Sequence, residues 1–241
     1  MWFLILIALA VPGTHNQSPA KPQFDDYAIV TPKRIEWTTG KGEDRDTVVM
    51  IRPEVTGLRP AVLKRIRKEL EVKKILGFYY QFYKDRQMFG LDYRVTHNRN
   101  HILAITFSWN AYFAGHEKGV VFDLRDGSLI KLQDLFREDS VPELVKLIDL
   151  KLQAELEQMI RDYEGKRDIR YAWKEAENNP MIFTAEYLDE FQINEKGITF
   201  IYHAGFSHTR KWAEPEGHYF LRYSELKNFL KPGTVVSQFV E

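Results

Sequence analysis

The chain has 241 residues, 44% of them apolar and 14% aromatic, which is enough material for one generous domain with a large core. Lys plus Arg equals Asp plus Glu, 34 against 34, so no global field favours nucleic acid or an acidic partner. There is no cysteine, which excludes disulfides, a lipid-anchored Cys and Cys-based zinc or redox chemistry.

Residues Trp2 to Val11 are almost continuously apolar. A membrane span needs about 20 such residues, so this run is too short to be one and fits a signal-peptide h-region. Ala8-Leu9-Ala10 offers small residues at the cleavage spacing, and Pro12-Gly13 breaks any helix. The n-region lacks Lys and Arg, and the competing reading is a buried N-terminal strand. The expected organisation is a signal peptide over 1–18, a linker over 19–26, one α+β domain over 27–231 and a C-terminal tail over 232–241. Export of a cysteine-free chain suits a bacterial envelope, as a periplasmic or extracellular protein, with no transmembrane span in the mature chain.

Tyr27–Val30 and Arg34–Thr38 read as one interrupted strand, turned at Gly40–Asp46 into Thr47–Ile51. Pro60 then opens a helix near Arg59–Ile75, with Val62, Leu63, Ile66 and Leu70 on one stripe. Its outer face is rich in Lys and Arg, which in a charge-balanced chain reads as a solvated face before it reads as a phosphate or membrane contact. Phe78 to Phe89 is dense in aromatics; core packing is favoured over stacking on sugar rings. Leu91–Val95 and Ile102–Trp109 read as strands around a polar turn at Asn98–Asn100.

Asp126-Gly127, between Val120–Leu124 and Leu129–Lys131, is the strongest hairpin signal in the chain, because Gly accepts the positive φ such turns require. Pro142–Tyr163 is the longest helix pattern, with Val145, Ile148, Leu152 and Leu156 stepping at three and four residues. Glu164–Asn179 is charged and reads as a loop or exposed insertion. Phe191–Asn194 and Ile198–Tyr202 form a hairpin through Glu195-Lys196-Gly197, followed by a polar loop over Ser207–Gly217, a strand over His218–Tyr223 and a short helix over Glu225–Leu230. The fold class expected is α+β: an antiparallel sheet of hairpins covered by two main amphipathic helices.

The order of these segments carries a resemblance. Pro53-Glu54-Val55-Thr56-Gly57-Leu58, Asp92-Tyr93-Arg94-Val95, Ile102–Phe107, Phe122–Gly127, Leu132–Phe136 and Arg222–Lys227 together resemble a bacterial extracytoplasmic domain of unassigned function. That domain occurs alone, in the sensing region of membrane-bound anti-sigma factors, and beside peptidoglycan deacetylase domains. The resemblance covers about Val48 to Lys231. It implies an α+β fold and a place in the cell envelope, and it carries no catalytic residues over. Two loops depart from the usual pattern, Asn110–His116 and Ser207–Glu214.

No spaced catalytic set is present. Gly-x-Ser-x-Gly, His-Glu-x-x-His and Gly-rich phosphate loops are absent, and 34 acidic residues make any carboxylate pair a coincidence of numbers. His203, His208 and His218 with Glu214 and Glu216 are the best metal candidates, but their spacing does not argue for a site, so no metal and no cofactor are expected. The candidate ligand-binding residues are Tyr112, Phe113 and His116 in the first divergent loop and His208, Arg210, Lys211 and Trp212 in the second. Aromatic and basic residues together suit a protein or a cell-wall glycan. The function expected is an exported, non-catalytic binding or sensing module; the alternative is a hydrolase of envelope polysaccharide that uses histidines and carboxylates of those loops.

Overall fold

Strands β1 (Ile29–Thr39) and β2 (Asp46–Thr56) pair antiparallel without a break, from Ile29 opposite Thr56 to Thr39 opposite Asp46. Pro32 does not interrupt β1, because β1 is the outermost strand of its sheet and has a side on which no ladder bond is needed. The computed structural model describes residues 26–39, 46–84, 88–111, 114–166, 168–177, 179–206 and 208–240. The expected export segment, the tip of the first hairpin, and Tyr112 and Phe113 lie outside the described residues.

Where one helix was expected after β2, the chain forms α1 (Pro60–Glu69), α2 (Val72–Leu76), a 3-10 turn (Gly77–Tyr79) and α3 (Tyr80–Lys84). Strand β3 (Met88–Arg99) follows and lies parallel to β2, with Met50 opposite Leu91. Parallel neighbours need a crossover of a dozen or more residues, and the helices supply it. The sheet is therefore not built of hairpins alone. Strands β4 (Ile102–Ala111) and β5 (Ala114–Asp123) complete it as antiparallel neighbours, in the order β1-β2-β3-β4-β5. The β3–β4 turn is made by Asn100 (φ 54°) and His101 (φ 62°), the paired positive φ values that a type I′ hairpin demands.

At Asp126-Gly127 the turn forms, with Gly127 at φ +81° and its N–H donating to the Asp123 carbonyl at 2.7 Å. The strand expected after it shrinks to one bridge, Phe122 to Leu129. The turn is used for docking instead: a Cβ on Gly127 would stand 2.7 Å from the Val62 carbonyl oxygen, and Arg59 and Arg65 donate to the carbonyls of Arg125 and Asp126. It clasps α1.

After α4 (Leu132–Leu135), the long helix α5 (Val141–Tyr163) buries Leu144, Ile148, Leu152 and Leu156 at helical spacing. The segment expected as a loop contains α6 (Ile169–Trp173), which buries Ile169 and Ala172. A second sheet, β6 (Phe191–Ile193), β7 (Gly197–Ile201) and β8 (His218–Arg222), is antiparallel throughout and ends in α7 (Tyr223–Leu226). The C-terminal segment does not hang free. Val235 and Val236 are buried, and Phe239 stacks on Tyr223 at 4.9 Å.

Strand β4 divides the interior. Leu103, Ile105 and Phe107 pack in one apolar cluster with Val62 and Ile66 of α1, whereas Ile102 and Ala104 belong to a second cluster with α5 and the three-stranded sheet. Alternation along one strand thus feeds two cores, and the two amphipathic helices cover opposite faces. The architecture is α+β, with largely antiparallel sheets; two sheets take the place of the single one expected. No helix among the described residues is long and apolar enough to cross a membrane.

Candidate functional site

A cleft of about 740 Å³ opens along the seam between the two cores. One wall comes from the end of α2, the 3-10 turn after it and the distal β4–β5 hairpin; the other comes from Glu177, Asp189, Glu190, and the stretch from His203 to Glu214. The first wall is aromatic. Isoleucine and leucine at 75 and 76 bury themselves, and the turn that follows throws Phe78 into solvent, 80% exposed, with Tyr79 beside it. The Tyr79 ring lies 4.2 Å from His116, which stacks on its cross-strand partner Trp109 at 5.7 Å. The aromatic density of this segment was thus legible in the sequence, but part of it faces outward.

The second wall is acidic. Glu177 is set by the backbone: its N–H donates to the Gly205 carbonyl at 3.3 Å, and Gly205 sits at φ +73° with room for no Cβ, which would come within 2.6 Å of the Glu177 Cβ. Asp189 ends a 3-10 segment (Ala185–Asp189) and Glu190 follows it, pairing with His203 at 3.4 Å. Tyr79 feels this wall: burial, then the charges of Glu177 and Glu190, raise its phenol above the usual range. Lys118, on the cleft floor, is held below the usual lysine range by burial and donates its Nζ proton to the Lys74 carbonyl at 3.0 Å.

Of the residues singled out from sequence, His116 and Lys211 both line this cleft. His116 is not in a loop but in β5. Lys211 is held by Glu214 in an ion pair. Arg210 and Trp212, its neighbours, turn away from the cleft and line a shallow depression with Asp168 and Tyr171. Their 3-10 segment (His208–Ala213) has three residues per turn, which sends consecutive side chains about 120° apart. Arg210 is clamped by both oxygens of Glu175, at 3.0 and 3.1 Å, and Trp212 packs on Tyr163 at 5.3 Å. One stacking-and-cation face from Arg210, Lys211 and Trp212 is therefore not what the fold builds. Tyr112, Phe113 and the side chain of His208 lie outside the described residues.

The residues that sequence reasoning missed are Tyr79, Trp109, Lys118, Glu177, Asp189 and Glu190. His218, weighed as a metal ligand, instead pairs with Glu117 at 3.3 Å. Among the described residues no three His, Asp or Glu side chains gather as a metal site.

No protein-family model matches this chain, and no curated protein matches it. Solved structures do. A member of the DUF3298 family from Bacteroides fragilis superposes with a TM-score of 0.54 at 13% identity, covering 90% of this chain and 99% of that one. A DUF3298 family protein from Pseudomonas aeruginosa gives 0.55 at 15% identity, covering 87% and 97%. The chain has a DUF3298-type fold. At these identities the likeness is one of fold, and it extends over nearly the whole of both neighbours. It agrees with the bacterial domain of unassigned function that the order of sequence motifs resembles. The DUF3298 neighbours bring no activity with them, so the cleft has to be read from its own residues.

Proposed function

We propose that this protein is an exported envelope module that binds a cell-wall glycan in the seam cleft without transforming it. The observation that carries the reading is the pairing of walls: the exposed Phe78 and half-buried Tyr79 rings face Glu177, Asp189 and Glu190 across one concave surface. A sugar ring offers an apolar face and a rim of hydroxyl donors, and this cleft offers a flat aromatic surface opposite carboxylate acceptors. Among the described residues, no serine or threonine side chain lines it.

One observation favours a second reading. His203 against Glu190, in a cleft with further carboxylates, is a proton-handling set of the kind a polysaccharide hydrolase uses. A single experiment separates the two. Soluble cell-wall oligosaccharides are titrated into the protein by calorimetry, and the same mixtures are assayed for new reducing ends over a day. Binding that weakens at least tenfold in Phe78→Ala, with no new reducing ends, supports the module. Turnover lost in Glu190→Gln supports the hydrolase.

A further inference from the structure

The charge of the cleft is lopsided in a way that the charge of the whole chain is not. Five carboxylates line it, Glu117, Glu177, Asp189, Glu190 and Glu214, against the ammonium groups of Lys118 and Lys211 alone. Both ammonium groups are already engaged: Lys211 holds Glu214, and Lys118 donates to a backbone carbonyl. Glu117 is met by His218 and by the Gln192 amide at 3.2 Å. Among the described residues, no Lys or Arg pairs with Glu177, Asp189 or Glu190. Glu190 is met by His203 at 3.4 Å and lies in the field of Lys118, so Glu177 and Asp189 are the carboxylates that face the aromatic wall with no basic partner among the described residues.

A second observation is independent of charge. Trp109, in the aromatic wall, is only 6% exposed, and its indole N–H is buried with no acceptor among the described residues. A buried donor left unmet is costly and rare in proteins, and this one belongs to a residue that lines the cleft.

We infer that the ligand of the cleft carries a protonated primary amine on a sugar ring, the ring lying on Phe78 and Tyr79 and the ammonium held by Glu177, Asp189 and Glu190. The inference rests on the glycan-binding reading above. An ammonium group supplies the missing cation, and in the partly desolvated cleft it is attracted both by the carboxylates and by the negative faces of the rings. A hydroxyl oxygen of the same sugar supplies an acceptor for Trp109. N-acetylation removes the positive charge and adds bulk, so the same sugar with its amine acetylated loses the interaction that the acidic wall provides.

The test compares two probes, a glucosamine tetramer and the corresponding N-acetylglucosamine tetramer, titrated by calorimetry at pH 6 into wild type and into Glu177→Gln/Glu190→Gln. A parallel experiment follows the Trp109 indole N–H resonance, assigned with Trp109→Phe. The expected result is at least tenfold tighter binding of the free-amine tetramer, a shift of the Trp109 resonance on saturation, and loss of most of the preference in the double variant. Equal binding of the two tetramers, or tighter binding of the acetylated one, overturns the amine inference and leaves the glycan reading standing. Failure of both to bind wild type overturns both. A preference that survives intact in a folded double variant also overturns the inference, since the charge recognition would then lie elsewhere.

Discussion

Gly119 of β5 lies directly against Phe191 of β6: a Cβ on Gly119 would stand 2.0 Å from the Phe191 carbonyl oxygen. The five-stranded and three-stranded sheets meet backbone to backbone at this point, and the obstruction is main chain that cannot rotate aside. Gly119→Ala is expected to destabilise the fold by on the order of 3 kcal/mol, as over-packing of a tight contact does. The midpoint of urea unfolding measures it, and an unchanged midpoint would show that the sheets do not approach as closely as this.

Leu152 is fully buried on the inner face of α5, between Ile148 and Leu156. Truncation to Ala removes its packing and leaves a cavity under a long helix that cannot collapse onto it, at an expected cost of about 2–5 kcal/mol. Leu150, on the same helix but 59% exposed, serves as the control, with an expected effect of about 0.5 kcal/mol or less. Similar losses at the two positions would mean that the inner face of α5 is misassigned.

His97 is 3% exposed, its Nε2 lies 3.1 Å from the Arg99 carbonyl, and burial holds its imidazole below the usual value of 6.5. The folded state thus keeps this ring neutral at a pH where the unfolded chain protonates it. Above about pH 6.5 both states are neutral and stability is full. As the pH falls below that value the unfolded state gains a proton that the folded state does not, and stability declines until the depressed folded value is reached. Each unit by which the two values differ is worth about 1.4 kcal/mol. Chemical denaturation from pH 7.5 to 5 should show the decline, and His97→Gln should flatten it; an identical slope in the variant would assign it to other groups.

Gly205 is a position where a small change should disturb the cleft. Alanine there would strain a backbone at φ +73° and push on Glu177, whose Cβ lies within 2.6 Å of the added methyl. Gly205→Ala is expected to lose about 1–3 kcal/mol of stability and, in the material that remains folded, to weaken ligand at least tenfold. Retained affinity would show that Glu177 is not part of the recognition surface.

The elements whose identity rests on local chemistry were readable in the sequence. Gly197 closes the β6–β7 hairpin as expected, and the stripe from Ile148 to Leu156 announces α5 at nearly its observed length. What could not be read is pairing across distance. The helices after Thr56 look the same whether they join antiparallel strands or cross over to a parallel one, and only the Met50–Leu91 register distinguishes them. The Asp126-Gly127 signal was correct about the turn and about the return toward β5, where Leu129 bridges Phe122 and the Ile130 N–H donates to the Val121 carbonyl, but the returning segment stays short because the chain enters α4 at Leu132. The cleft was legible only in fragments. Phe78 belongs to an aromatic run that resembles core, and Glu177 sits in a charged stretch that resembles loop; neither has a local feature that points to the other.

The seam position of the cleft ties ligand to cohesion. Its aromatic wall grows from the core that contains α1, and its acidic wall grows from the core that contains α5, so a bound molecule touches both halves at once. A ligand so placed acts as a removable bolt. Occupancy adds stability according to the ligand's concentration relative to its dissociation constant.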